Sequence, residues 1–318
     1  MSCRTNGRIT DYLRISVTDR CNLRCIYCMP GEGIAHRPHD EIITFEEILR
    51  LANIFVSLGV KKIRLTGGEP LVRNGLAGLI ESLAKIKGIE ELCLTTNGTL
   101  LPDYAERLQK AGLTRINISL DTLKAERFSE ITRSDSLYHV MEGIDKVIAL
   151  GMPLKLNAVV MRGVNDDEIT DFVDFALSKK VTLRFIEFMK ATPMWREEYF
   201  LPIEEVKSIC EKKFTLSYLG KMGRGPATYY QIEGNNIIGF IKTEEANCIS
   251  CNRLRLTSTG ELKACLYESR GICLRNLLRN GASDWEIKDV IKEKAAAKQS
   301  IDYRSYESSK LYMYEIGG

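Results

Sequence analysis

Three cysteines near the start of the chain form its most distinctive chemical pattern. Cys21, Cys25 and Cys28 are spaced as Cys-x3-Cys-x2-Cys, and Tyr27 stands just before the last sulfur. A [4Fe–4S] cluster is usually held by four cysteine thiolates. Three cysteines would leave one iron open to a ligand that is not protein, which favours chemistry over a purely structural role. Structural zinc with a distant fourth ligand is the alternative, although such sites favour paired Cys-x2-4-Cys units.

A glycine-rich turn, Thr66-Gly67-Gly68-Glu69-Pro70, follows further along the chain. Such a turn is often only a tight loop, but two glycines also let a ligand approach the backbone and Glu69 can bind a cation. With the three cysteines, this turn resembles the radical S-adenosylmethionine (SAM) superfamily. There the methionine end of SAM chelates the open iron, and the turn binds its amino group. The resemblance implies SAM contacts from Tyr27 (through its backbone), Gly67, Gly68, Glu69, Ser119 and Met189.

A second cysteine group lies in the last third of the chain. Two residues separate Cys248 from Cys251, and Cys265 follows after thirteen more. By spacing alone, a zinc ribbon fragment is at least as good an explanation as a cluster. Arg253 and Arg255 lie between these cysteines, and alternation in a strand would put both guanidiniums on one face. Arginine binds phosphate bidentately, so the pair is typical of a phosphate site, with a solvated edge as the alternative.

Composition limits the class of protein and its compartment. The chain has 318 residues, 44% hydrophobic and 27% charged, which suits one large α/β domain or a domain plus an appendage. The net charge of +3 is too small to indicate a nucleic-acid or membrane partner. A polar N-terminus and the lack of a long apolar stretch predict a cytoplasmic protein. There the ten cysteines should be thiols or metal ligands, not disulfides.

The elements that must position these groups follow a β-α rhythm over residues 12–190. Short apolar strands alternate with amphipathic helices, which predicts parallel strands with right-handed crossovers. After about residue 200, short alternating segments and turn residues predict a smaller, strand-rich C-terminal region. We therefore expect one domain over 1–200 and a second over 201–318. The six strands are centred on residues 14–16, 63–65, 93–95, 116–118, 156–158 and 183–185.

Polar and cationic residues recur in these predicted strands, whereas buried parallel strands are usually apolar. Exposure at a strand end would explain one such residue, but recurrence in successive strands favours a polar lumen that takes a charged ligand. In β/α barrels functional residues lie at the C-terminal ends of the strands, where the cysteine loop and the glycine turn also fall. The polar strand residues are Arg14, Arg64, Thr95, Asn117, Ser119, Lys155, Asn157 and Arg184.

Three features narrow the resemblance to one family within the superfamily: the two cysteine groups, the Arg-x-Arg between the later cysteines, and the Gly317-Gly318 chain end. Over residues 8–318 the chain resembles the radical SAM enzymes that cyclise GTP in molybdenum cofactor biosynthesis. The resemblance implies an α/β fold, an incomplete six-unit (β/α) barrel closed at one end by the C-terminal domain. It also implies two [4Fe–4S] clusters facing each other across the lumen. Their ligands would be Cys21, Cys25 and Cys28 for one and Cys248, Cys251 and Cys265 for the other.

The same resemblance implies a reaction. The first cluster would reductively cleave SAM, with an electron from a donor that the sequence does not identify. The resulting 5′-deoxyadenosyl radical would abstract the 3′ hydrogen of GTP, and C3′ would attack C8 to give 3′,8-cyclo-7,8-dihydro-GTP. The second cluster would bind the guanine, and cyclic pyranopterin monophosphate synthase would take the product. GTP would contact Arg14, Arg64, Thr95, Lys155, Arg184, Arg253 and Arg255, and the catalytic group would include both arginines of the Arg-x-Arg pair together with Gly317 and Gly318.

Other interpretations stay open at this point. A radical SAM peptide modifier or tetrapyrrole-pathway enzyme would lack the Arg-x-Arg pair and the Gly-Gly end. A non-enzymatic iron–sulfur sensor or carrier would need no SAM turn and no converging cations, and a zinc-stabilised nucleotide-binding module would be colourless. Cys210 or Cys273 could complete the second cluster, although the apolar surroundings of Cys273 favour a packed free cysteine. Monomer and homodimer are both open.

Overall fold

The computed structural model describes residues 4–5, 8–35, 37–242, 251–298 and 311–317. Cys248 and Gly318, two of the predicted site residues, therefore lie outside the described residues. The strands are β1 (Arg4–Thr5), β2 (Arg8–Ile9), β3 (Tyr12–Ser16), β4 (Lys62–Thr66), β5 (Glu91–Thr96), β6 (Arg115–Ser119), β7 (Leu154–Val160), β8 (Thr182–Glu187), β9 (Ser217–Lys221), β10 (Thr228–Ile232), β11 (Asn236–Ile241), β12 (Arg253–Leu256), β13 (Glu261–Lys263) and β14 (Ile272–Cys273).

Helices alternate with the central strands and continue after them. The α-helices are α1 (Phe45–Ser57), α2 (Leu76–Ala84), α3 (Leu101–Lys110), α4 (Ala125–Thr132), α5 (Leu137–Ala149), α6 (Ile169–Lys179), α7 (Ile203–Glu211), α8 (Leu274–Arg279), α9 (Asp284–Ala297) and α10 (Met313–Ile316). Four short 3-10 helices span His39–Glu41, Pro70–Val72, Asp166–Glu168 and Glu197–Tyr199. None of the helices in these described segments has the length and apolar character needed to cross a membrane.

The six predicted strands are β3 to β8, and they lie side by side in chain order as parallel neighbours. Alternation along each strand gives the sheet two different faces. Leu13, Ile15 and Ile63 are fully buried in the apolar core against the helices, while the intervening Arg14 and Arg64 point to the opposite face, where they line a cavity. The polar-lumen prediction is confirmed for this face of the sheet.

Strands of the C-terminal region extend both edges of this sheet. At one edge β12 pairs in parallel with β3, and β13 and β14 follow as antiparallel neighbours. At the other edge β11 pairs in parallel with β8, followed by antiparallel β10 and β9. The result is one 12-stranded sheet whose order runs from β14 to β9 without closing on itself among the described residues. The region beyond residue 200 thus shares the sheet of the six β-α units.

Local signals account for most helix positions. Thr44 and Glu47 form a capping box, and α1 buries its apolar stripe, including Leu51 and Phe55. Gly75 occupies the N-cap of α2 with φ of 82°. The C-terminal region was expected to be rich in strands, but it also contains the helix α9. This helix begins with a capping box on Ser283. That helix buries only a narrow stripe, so its periodicity is weak in the sequence.

Candidate active site

A cavity of about 380 Å³ lies on the face of the sheet away from helices α1 to α6. Its walls come from the lumen-facing residues of β3 to β8, from the loops that follow β3 and β4, and from β12. It brings together every described residue predicted for the site apart from Gly317. These residues are Arg14, Cys21, Cys25, Tyr27, Cys28, Arg64, Gly67, Gly68, Glu69, Thr95, Ser119, Lys155, Arg184, Met189, Cys251, Arg253, Arg255 and Cys265.

The first cysteine loop follows β3 and is anchored by its own backbone. Cys28 N donates to Cys25 O at 2.9 Å, while Arg24 N and Ile26 N donate to carbonyls at the end of α4. The phenol of Tyr27 donates to Asp121 Oδ2 at 2.6 Å, which ties the loop to the segment after β6. The aromatic residue of the cysteine motif therefore has a side-chain role, while the SAM contact through its backbone stays a prediction.

The three thiols of this loop are buried close together. Burial raises the pKa of Cys21 to about 11 and that of Cys28 to about 12. The negative charge of Glu69 adds to the effect at Cys21, and that of Cys21 adds to it at Cys28. Burial likewise raises the pKa of Cys25 well above its usual range, with Cys28 adding to the effect. Metal ligation requires thiolates, so the positively charged core of a bound cluster would supply the compensation that the pocket lacks. The donor set therefore fits an iron–sulfur cluster.

Among the described residues, no group of three His, Cys, Asp or Glu side chains is close enough to hold a single metal ion. The thiols nevertheless influence one another electrostatically. The two observations are compatible, because a [4Fe–4S] cluster spreads its cysteine ligands over separate iron atoms.

The glycine turn after β4 packs against the loop that carries Cys21. Gly68 N donates to Thr18 O and Glu69 N donates to Arg20 O, both at 2.8 Å. A Cβ atom on Gly68 would lie 2.3 Å from Arg20 O, and one on Gly67 would lie 2.8 Å from Thr18 O. Only glycine fits so near another backbone segment. The structure thus gives the glycines a role within the chain, in addition to the ligand approach expected from the sequence.

Glu69 presents a buried carboxylate to the cavity. Its oxygens accept from Leu71 N at 3.0 Å, Thr96 Oγ1 at 2.7 Å and Asn97 N at 2.7 Å. Burial raises its pKa to about 7, although these three donors oppose the change. A carboxylate offers about four lone-pair sites, so three protein donors leave room for one more. A single ammonium group would match that remaining site.

In the middle of the cavity, Arg64 and Lys155 are cations that donate to neutral oxygens. Arg64 donates to Tyr12 Oη at 2.6 Å and to Thr95 Oγ1 at 3.0 Å. Lys155 donates to Tyr229 Oη at 3.1 Å and lies 4.8 Å from the centre of that ring. Because the partners are uncharged, the positive charges are not cancelled where they are held. Burial lowers the pKa of Lys155, as expected for a cation in a low-dielectric lumen.

Two tyrosines in this region were not predicted from the sequence. Burial alone would raise the pKa of Tyr12, but Arg64, Arg14, Lys62 and Arg253 outweigh it and lower the value to about 8. Burial would also raise the pKa of Tyr229, but the charges of Arg184 and Lys155 outweigh it and lower that pKa. The position of Tyr12 two residues before Arg14 was the available signal, because alternate residues of a strand face the same side.

The second cysteine group lies beside arginines. Burial would raise the pKa of Cys251, but Arg253 and Lys298 outweigh it and lower the value to about 6. Lys298 also lines the cavity and was not predicted. Arg255, on the neighbouring stretch of β12, donates to Gly317 O at 2.9 Å. Gly317 therefore lies against the Arg-x-Arg pair, and its predicted catalytic role stays a prediction.

Glycine is required at position 317 for a local reason. Its φ of 77° lies in the left-handed region, and a Cβ atom there would lie 2.9 Å from Thr66 Oγ1 and 3.0 Å from Ser16 Cβ. A side chain would therefore meet both conformational strain and the ends of β3 and β4.

The loop between β9 and β10 forms the floor of the cavity and was not predicted. Arg224 in this loop donates to Asp11 Oδ2 at 2.5 Å and to Glu90 Oε2 at 2.9 Å. Asp11 also accepts from Asn252 Nδ2 at 2.6 Å. The hairpin at one end of the strand order thus contacts residues next to β3 and β5. This contact shows that the sheet curves round towards a barrel although its strand order is open.

Asn157 Oδ1 and Arg184 Nε are buried in the wall of the cavity and have no hydrogen-bond partner among the described residues. Both residues line the cavity, on the paired strands β7 and β8. Buried polar atoms are normally satisfied. An unsatisfied acceptor, Asn157 Oδ1, and an unsatisfied donor, Arg184 Nε, on neighbouring strands would suit a bound polar ligand.

Both parts of the chain match known families. Residues 15–176 match the Radical SAM superfamily, and residues 181–303 match Molybdenum Cofactor Synthesis C. The chain is 45% identical over 320 residues to a GTP 3′,8-cyclase of Syntrophomonas wolfei subsp. wolfei, with 98% of each chain covered. It is 46% identical over 291 residues to a GTP 3′,8-cyclase of Thermodesulfovibrio yellowstonii, with 90% of each covered.

The chain belongs to the GTP 3′,8-cyclase family. This confirms the family resemblance and, with it, the enzyme class. Membership of the radical SAM superfamily implies SAM and [4Fe–4S] clusters as cofactors, and the cysteines that would hold them are present.

Solved structures support the fold of this GTP 3′,8-cyclase family member. Streptococcus suis SuiB matches with a TM-score of 0.63 and 16% sequence identity, covering 92% of this chain and 68% of SuiB. At this low sequence identity, the structural match supports the fold and nothing about function.

The two cysteines considered as extra ligands lie apart from the cavity. Cys210 is fully buried in the apolar core on α7, and Cys273 is half-buried at the N-terminus of α8. The expectation of a packed thiol is thus only partly met at Cys273. Neither side chain is among the residues that line the site.

Proposed function

We propose that this chain is a GTP 3′,8-cyclase that forms 3′,8-cyclo-7,8-dihydro-GTP for molybdenum cofactor biosynthesis. The observation that carries the proposal is one cavity with two oppositely charged ends. The end at the first cysteine loop has a buried carboxylate, Glu69, which suits the cationic SAM. The middle and far end hold Arg64, Arg184 and Arg255, which suit a triphosphate.

Two cofactor groups would be held at the ends of the cavity. Cys21, Cys25 and Cys28 would hold one [4Fe–4S] cluster, and Cys251 and Cys265, with Cys248, would hold the second. When bound, the first cluster and SAM supply abstraction of the hydrogen at C3′ of GTP.

The SAM end of the site is organised by the protein. Glu69 would accept a hydrogen bond from the α-ammonium of SAM while its other oxygen sites remain fixed by Leu71, Thr96 and Asn97. Ser119 and Met189, which line the same cavity, would contact the rest of the molecule. Tyr27 holds the cysteine loop against Asp121, which fixes where the open iron would lie.

GTP would be oriented by the cations of the strands. Arg14, Arg64 and Lys155 would bind it from the barrel wall, together with Thr95 and Arg184. Arg253 and Arg255 would bind it from β12, beside the second cysteine group. The hydrogen bond from Arg255 to Gly317 O would orient that guanidinium. Burial of these groups keeps water from the reacting carbons, which protects a radical reaction.

The same reasoning supports further proposals about the context of the enzyme. An electron donor must supply one electron for each SAM cleaved, and the product would pass to cyclic pyranopterin monophosphate synthase. Reduced cysteine ligands call for a reducing compartment such as the cytoplasm. A functional boundary near residue 200 would separate the SAM-binding units from the part that holds the second cluster, and the working form would be a monomer or a homodimer.

The decisive experiment is anaerobic. Protein reconstituted with iron and sulfide is reduced and given SAM, and 5′-deoxyadenosine and cyclised nucleotide are quantified with GTP, with ATP and without nucleotide. We expect cyclised nucleotide with GTP only, and 5′-deoxyadenosine formation that GTP stimulates and ATP does not. SAM cleavage indifferent to GTP would favour a peptide-modifying enzyme. No cleavage by iron-loaded protein would favour an iron–sulfur sensor or carrier.

A further inference from the structure

Asn117 lies in the middle of β6 and connects two of the cations on the cavity wall. It is buried, with 2% of its surface exposed. Its amide is oriented by the donors around it, so that the oxygen accepts from Arg184 Nη2 at 2.6 Å and also from Arg64 Nη1. In the strand order β6 lies midway between β4, which carries Arg64, and β8, which carries Arg184. One amide oxygen therefore joins two guanidiniums from either side of the lumen.

This arrangement has a physical cost that calls for an explanation. Arg64 and Arg184 are 4% and 6% exposed, and two buried like charges repel each other strongly. Burial, followed by the nearby charge of Arg64, lowers the pKa of Arg184 to about 10. A carboxylate at position 117 would offset part of that repulsion. The neutral amide instead fixes both guanidiniums and leaves their net charge for something else to neutralise.

The other partners of the two arginines act in the same way. Tyr12 Oη and Thr95 Oγ1 accept from Arg64, and neither of these acceptors is a carboxylate. Arg184 Nε is buried without a partner in the described part of the chain. Planar guanidiniums bind phosphate oxygens in a bidentate manner. Two of them held in place before binding would lose little conformational freedom when a phosphate arrives.

We propose that Asn117 is a positioning residue that holds Arg64 and Arg184 together as one preformed site for the phosphate groups of the substrate. This inference rests on the proposed function, because it assigns the phosphate end of GTP to these two arginines. Asn117 itself need not contact the nucleotide. Its contribution is to the spacing and orientation of the two guanidiniums.

The test compares Asn117→Leu, which removes the acceptor but keeps the branched shape of the side chain, with Ile118→Val as a matched control. Ile118 is the next residue on β6, but it faces the apolar core. Binding of GTP, GDP, GMP and guanosine to anaerobically reconstituted protein is measured by equilibrium dialysis. We expect Asn117→Leu to raise the Kd for GTP about tenfold to hundredfold, as for the loss of charge-assisted hydrogen bonds. Guanosine and SAM should bind as before, and Ile118→Val should bind all ligands normally.

A second variant guards against a fold defect in Asn117→Leu. Asn117→Asp keeps an acceptor for both arginines and should fold. Its negative charge should weaken the binding of GTP more than that of GMP and leave the binding of guanosine unchanged. In turnover, both variants should raise KM for GTP with kcat within about twofold of wild type.

The outcomes separate the two proposals. Wild-type protein that binds no GTP would count against the proposed function. Wild-type protein that binds GTP, with both Asn117 variants binding it equally well, would overturn the role of Asn117 alone. Equal losses for GTP and guanosine would also overturn it, because they would place the effect on the base or ribose instead of the phosphates.

Discussion

The two cysteine groups line one cavity but lie in opposite electrostatic environments. At Cys21, Cys25 and Cys28, burial and neighbouring negative groups raise the pKa of each thiol. At Cys251, arginine and lysine side chains outweigh burial and lower the pKa to about 6. The surroundings of the first cysteine group thus favour a bound cation, whereas those of Cys251 favour an anion.

The difference follows from which elements supply the neighbours. The first loop is packed between the ends of β4 and β6, which contribute Glu69 and Asp121. The second group adjoins β12, whose register places Arg253 opposite Tyr12 and Arg255 opposite Arg14. A low-dielectric cavity with ends of opposite sign can bind a cation and an anion side by side, each excluding the other from its own end. Cationic SAM and anionic GTP fit that separation.

Removal of each cysteine group is the largest expected perturbation. Cys21→Ser/Cys25→Ser/Cys28→Ser should lose about four irons and all SAM cleavage. Cys251→Ser/Cys265→Ser should also lose about four irons, yet retain SAM cleavage while losing cyclised product. Iron content and 5′-deoxyadenosine are the measurements. Cys273→Ala should keep all its iron, and a loss there would mean that Cys273 is a cluster ligand. Loss of SAM cleavage in both serine variants would remove the distinction between the two ends.

A smaller effect is expected from pH at the SAM end. Burial raises the pKa of Glu69 to about 7, so this carboxylate is ionised above that pH and takes up a proton below it. Only the ionised form attracts the ammonium of SAM. SAM affinity should therefore fall as the pH drops through 7, by up to about tenfold per pH unit. Glu69→Gln should bind SAM weakly at pH 8 with little change down to pH 6. An identical pH profile in both proteins would exclude Glu69 as the titrating group.

The smallest expected effect is at the floor beneath the basic end. Arg224→Ala removes contacts to Asp11 and Glu90, and the side chains of Arg224 and Asp11 are 26% and 14% exposed. Because these groups are partly solvated, we expect the free energy of unfolding to fall by about 1 kcal/mol and Tm to fall by about 2–4 °C. Lys85→Ala, which removes the exposed pair with Glu81, should leave Tm unchanged. Equal Tm values for Arg224→Ala and wild type would mean that the floor contributes nothing to stability.

Much of the fold could be predicted from the sequence because its signals are local. The six central strands, the capping box at Thr44 and the helix stops depend on residues within one or two turns of each other. The same holds for the cysteine spacing and for the recurrence of polar residues such as Arg14 and Arg64 in successive strands. Signals of this kind do not require knowledge of which segments meet in space.

Features that depend on distant contacts could not be predicted in this way. Tyr229 and Lys298 carry no local motif, and their presence in the cavity depends on how β10 and α9 pack. The floor formed by Arg224 joins residues more than 200 positions apart in the chain. Nothing in the sequence near residue 224 indicates Asp11 as its partner.

The sequence by itself determined the order of β-α units, the ligands available for two clusters and the polar character of the lumen. Only the tertiary structure decided which residues share that lumen, that β11 and β12 extend its two edges, and that one amide on β6 joins arginines from β4 and β8. The physical reason is that side-chain types and spacings are written locally. Burial, charge compensation and pKa instead depend on the neighbours that folding brings together.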